Sequence, residues 1–165
     1  MKYLLSLLLL IIAPCHASES RFGAFYFYQN DAVLTSKHVD LPDMARFSRN
    51  VQSAIWKILK PVRIKSSIGY LVIAVREDGD TAVWLDMEPA IHPYYAAAIT
   101  QAIGKLRPFA VSDGAVVFGL QMSIDTPKFT LKSAPNPIEW RDAIKKWGDD
   151  DIDRLMWAVW PKPDE

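Results

Sequence analysis

Asp86 and Glu88 stand two residues apart, so in any strand they point to one side, a spacing that paired acid–base carboxylates can use. Solvated strand ends give the same pattern, and the pair alone assigns no reaction. Beyond the first seventeen residues the histidines are His38 and His92. Neither has a ligand-like spacing and no cysteine accompanies them, so a capping or surface role is the ordinary reading. Asp149, Asp150, Asp151 and Asp153 lack the alternating oxygens and trailing glutamate of a calcium loop. They suit the opening turn of a helix, where the dipole stabilises negative charge. No serine occupies a Gly-x-Ser-x-Gly elbow. Tyr94 and Tyr95 open an apolar-periodic segment, Tyr95 reading as core and Tyr94 as half-exposed. These residue types nominate no catalytic residue, metal ligand or cofactor, and the expectation is a protein that is not an enzyme.

The elements that must position these side chains follow from periodicity. Arg21 to Gln29 is dense in aromatics and reads as a strand, ended by the turn Gln29-Asn30-Asp31, with Ala32 to His38 as a returning strand. Pro42 and Asp43 open an amphipathic helix in which Met44, Phe47, Val51, Ile55, Ile58 and Leu59 share a face, stopped before Pro61. The apolar runs Ile68–Arg76 and Ala82–Leu85 flank Asp78-Gly79, a strong hairpin signal. Pro93 opens a second helix lined by Tyr95, Ala98, Ile99, Ala102, Ile103 and Leu106, which Pro108 stops. After Asp113-Gly114, Val116, Phe118, Leu120, Met122 and Ile124 alternate with Val117, Gly119, Gln121 and Ser123, a strand with one apolar face. Beyond Pro127, a short extended piece at Phe129–Leu131 precedes two helical patterns, one carrying Trp140, Ile144 and Trp147, the other Ile152, Leu155, Met156 and Val159. Four of the six tryptophans lie in this tail, an aromatic area that calls for docking.

Met1 to Ala17 has the parts of a secretory signal: Lys2, an apolar run from Tyr3 through Ala13, and the small-residue exit Cys15-His16-Ala17. The run is too short for the roughly 20 residues of a membrane span. Cleavage after Ala17 is therefore expected, with Ser18 as the mature N-terminus and the periplasm as destination. Lipidation at Cys15 is the less favoured alternative, because Pro14 stands where small residues usually sit. Removing residues 1–17 from 165 leaves 148, the size of one domain. Nineteen basic residues balance nineteen acidic ones, giving no electrostatic case for nucleic acid or an anionic bilayer.

From about Met44 to Ile124 the chain resembles the C-terminal domain shared by the TonB and TolA envelope proteins. The resemblance is carried by the helix Met44–Leu59, the hairpin Gly69–Gly79, the helix Tyr95–Ile103, the exit Leu106-Arg107-Pro108-Phe109 and the strand Val116–Leu120. It implies an α+β fold whose small antiparallel sheet has helix–strand–strand–helix–strand order and helices on one face. It also implies a module that grips periplasmic or outer-membrane proteins or peptides by adding a strand to a sheet edge. The expected organisation is a signal at 1–17, a strand extension at 18–41, the TonB/TolA-like domain at 42–126 and a Trp-rich helical tail at 127–165. The expected edge is Ala115–Ile124, with Val116, Phe118, Leu120, Met122 and Ile124 as partner-binding residues. The membrane anchor and long linker of the energy-transducing members are not expected here, so neither is energy transduction. Two other jobs remain open: an inhibitor or immunity-type protein, and a small periplasmic hydrolase.

Overall fold

The computed structural model describes residues 18–161 and shows an α+β fold built on one four-stranded antiparallel sheet. Its strands are β1 (Ser20–Phe27), β2 (Ser67–Arg76), β3 (Thr81–Glu88) and β4 (Ala115–Ile124), in the order β1-β4-β2-β3. The helices are α1 (Asp31–Ser36), α2 (Leu41–Leu59), α3 (Pro93–Gly104), α4 (Arg141–Trp147) and α5 (Ile152–Val159), and a 3-10 turn at Ile138–Trp140 leads into α4.

The β2–β3 hairpin forms around Asp78-Gly79 as its residues require. Gly79 takes a φ of +84°, Asp78 accepts from the Asp80 amide at 2.9 Å, and Arg76 N–H donates to the Asp80 carbonyl at 3.0 Å. Asp40 caps α2 by accepting from Asp43 N–H at 2.9 Å, and the apolar stripe Met44, Phe47, Val51, Ile55 and Leu59 is buried. His92 caps α3 and Pro93 opens it. Both helices pack on one face of the sheet, against Leu71, Ile73, Phe118, Leu120, Met122 and Ile124.

The opposite face is covered as well, by the tail. Trp140 is fully buried between Trp84 (ring centres 5.0 Å apart) and Tyr28 (5.7 Å), and Ile152, Leu155 and Met156 of α5 complete that layer over Val72, Ala74 and Val117. The segment leading to α4 hangs from side chains of the sheet. Tyr70 donates to Lys132 O at 2.9 Å, Gln121 to Thr130 O at 3.0 Å, and Tyr28 to Pro135 O at 2.6 Å. Gly119 permits this close approach, since a Cβ there would stand 3.1 Å from that of Ala134. The two helices expected on one face, α2 and α3, do share it, and the docked tail adds a second helical layer on the other.

One further expectation changes. Ala32–His38 is no strand, because Asn30 accepts from Val33 N–H at 3.0 Å and caps α1, which buries Leu34. Phe129–Leu131 joins no ladder, and its Thr130 carbonyl accepts from Gln121. The expected signal at 1–17 lies outside the described residues. Among the described residues no helix is long and apolar enough to cross a membrane.

One polar contact pins the sandwich together. Lys37, 4% exposed, reaches both carboxylate oxygens of Asp153 at 2.9 and 2.8 Å and the Asp113 carbonyl at 2.8 Å. Asp153 also accepts from Ala115 N–H at 2.7 Å, so α1, α5 and the start of β4 meet at one carboxylate. Removing that acceptor leaves a buried ammonium without its counter-charge. Asp153→Ala should cost about 2–4 kcal/mol in urea unfolding, the half-exposed carboxylate keeping the value below a fully buried pair. Adding Lys37→Met to it should restore part of the loss, because no unpaired charge then remains.

Candidate functional site

The expected edge strand is an interior strand. β4 pairs with β2 from Ser67↔Ile124 to Arg76↔Ala115, and with β1 from Ser20↔Ile124 to Phe27↔Phe118. Val116, Phe118, Leu120, Met122 and Ile124 are all fully buried under α2 and α3, so they form core and cannot meet a partner. The physical reason is the aromatic strand β1, which occupies the border of β4 that the expectation left open.

The sheet's outer edges are instead β1 and β3. The hairpin bond Arg76 N–H to Asp80 O fixes the phase of β3: its even residues bond β2, and Thr81, Val83, Leu85 and Met87 direct their backbone groups outward. That edge is shielded, since Val83 and Met87 keep 7% exposure beside α3, and Trp84 is covered by Trp140. On β1, Tyr28 N–H donates to Val117 O at 3.2 Å, which sets the phase in the same way. Tyr26 bonds β4, whereas Phe25 and Phe27 turn their N–H and C=O groups away from it.

Aromatic side chains flank those outward groups on both faces. Phe25 and Phe27 stack at 6.4 Å on the α2/α3 side, with Phe25 5.9 Å from Phe118; Tyr26 and Tyr28 meet edge to face at 5.2 Å on the tail side. Phe25 and Tyr26 remain 42% and 41% exposed. A register shift between Phe22 and Phe25 interrupts the ladder at Gly23-Ala24, where Gln121 accepts from Ala24 N–H at 3.3 Å. At the other end Gln29 continues the ladder with its side chain, donating to Ala115 O at 2.7 Å and accepting from Val117 N–H at 3.0 Å. Burial, with smaller contributions from Tyr26, Asp86 and Tyr70, pushes the Tyr28 hydroxyl above its usual range and keeps it a donor.

The other candidates scatter. Asp86 and Glu88 do share a side and line a cleft of about 210 Å³ with Tyr70 and Lys132, whose ammonium lies 3.3 Å from Glu88. His38 and His92 are both elsewhere: His92 accepts from Tyr94 N–H at 3.2 Å, and His38 sits 3.1 Å from Ser112 Oγ. Tyr94 is exposed and Tyr95 packs on the core. Asp151 caps α5 by accepting from Arg154 N–H at 3.0 Å. Among the described residues no three histidine, cysteine, aspartate or glutamate side chains converge as a metal site. A wider cleft of about 630 Å³ lies between the start of α2, the hairpin turn and residues 107–110. Arg46 and Arg107 line it together with Asp43, Glu77 and Asp78, a mixed lining with no single charge preference.

No known protein family, curated protein or solved structure matches this chain. Phe25 and Tyr26 carry no sequence signal that separates them from the other aromatics of the strand. The small pair Gly23-Ala24 was the available sign of an interrupted edge.

Gln29→Leu should leave Val117 N–H and Ala115 C=O without partners and lower stability by about 1–3 kcal/mol. Hydrogen exchange is expected to quicken more at the Val117 amide than at Leu71, which follows only the change in global stability.

Proposed function

We propose that this chain is a periplasmic protein-binding module that takes up an extended segment of an envelope protein along the outer edge of β1, without transducing energy itself. The observation carrying this reading is the outward backbone of Phe25 and Phe27, bracketed on both faces by aromatic rings that solvent still reaches. An added strand would satisfy those groups and cover the exposed ring edges, combining main-chain bonds with aromatic anchors. Each such bond contributes a net of about 0.5–1.5 kcal/mol, and the break at Gly23-Ala24 limits their number, so a weak, exchangeable complex is expected. The helix–strand–strand–helix–strand order behind the TonB/TolA likeness, and the export signal expected at Met1–Ala17, favour an envelope partner.

Affinity capture from periplasmic and outer-membrane extract tests the reading, with circular dichroism to verify folding. Phe25→Pro deletes an outward donor that the sheet does not use, Phe25→Ala removes only the ring, and Leu85→Pro makes the matching change on β3. Capture is expected to fall at least tenfold with Phe25→Pro, to weaken several-fold with Phe25→Ala and to persist with Leu85→Pro. Undiminished capture by folded Phe25→Pro would refute docking at β1.

A further inference from the structure

We infer that Asp125 is the receptor for the chain's own processed N-terminus: cleavage after Ala17 creates an ammonium on Ser18, which the folded domain holds in a socket made by Asp125 and Val62. This rests on the export part of the proposed function and is independent of docking at β1.

Ser18 is buried, with 3% exposure. Its N–H donates to Val62 O at 3.1 Å, and its Oγ donates to Asp125 Oδ2 at 3.0 Å while accepting from Ile64 N–H at 2.9 Å. Asp125 completes the enclosure. Its Oδ1 accepts from Glu19 N–H at 2.7 Å, its own N–H donates to Glu19 O at 2.8 Å, and its carbonyl accepts from Ser66 Oγ at 3.0 Å. Asp125 holds a left-handed φ of +50°, an uncommon conformation outside glycine, and this turns it back over the last ladder pair, Ser20↔Ile124.

The chemistry of cleavage fits the socket. In the uncut chain the Ser18 nitrogen carries one hydrogen, already given to Val62 O. Hydrolysis of the Ala17–Ser18 peptide bond by an envelope signal peptidase consumes one water, leaving a carboxylate on Ala17 and a protonated amine on Ser18. Two further N–H donors and a positive charge then appear on the residue whose Oγ already touches Asp125. Ser18 is buried but Asp125 is exposed, so solvent screens the attraction and its contribution is expected to be small. The order of events follows from burial: a peptidase needs extended chain on both sides of the bond it cuts, so cleavage precedes the seating of Ser18.

The test uses protein beginning at Ser18, with a free or an acetylated α-amine, in the native sequence and in Asp125→Asn. Asparagine keeps the shape and the tolerance for positive φ but carries no charge. Acetylation is expected to lower the urea midpoint of the native sequence and to leave that of Asp125→Asn unchanged, both folds being verified by circular dichroism. Equal shifts in the two backgrounds, or none in either, would overturn the socket. N-terminal sequencing of the exported protein examines the processing step separately. A start at Ser18 supports it; any other start removes this role for Asp125, whatever acetylation does.

Discussion

Everything in this fold is arranged around β4, a strand with no free side. Its borders are paired to β1 and β2, and its two faces lie under α2/α3 and under the tail. Such a strand satisfies every backbone group only if both neighbours are in place, and a buried unpaired amide is costly. Residues far apart in sequence are thereby made interdependent: β1 from the start of the described chain, the hairpin from its middle, and α5 from its end.

The tail is the less obvious half of that dependence. Without it Tyr70, Val72, Ala74, Trp84 and Val117 would present a broad apolar face to water. The tail is placed by a few polar contacts, namely three side chains of the sheet reaching its carbonyls and the Lys37–Asp153 pair that joins α1 to α5. Burial supplies most of the driving force, while the polar contacts choose among the ways such a segment could lie.

The sequence was informative where one local rule dominated. Asp78-Gly79 dictated the hairpin, Asp40 and the stripe from Met44 to Leu59 dictated α2, and the tryptophans implied a docked tail. It was opaque where long-range pairing decided. β4 reads as a strand with one apolar face, but nothing local reveals that Phe22–Phe27 pairs along its open border, leaving it no free backbone edge. Asn30 misled in another way, because a turn before an apolar run fits a hairpin as well as a short capped helix. Lys37 and Asp153 are separated by 116 positions, a distance at which no spacing rule operates.

Trp84 and Trp140 sit edge to face with ring centres 5.0 Å apart, one on the sheet and the other on the tail. Two indoles at that distance couple their strong electronic transitions and produce a paired circular-dichroism signal that neither ring gives alone. The molecule thus carries an optical gauge of whether its Trp-rich tail is seated, legible without any label.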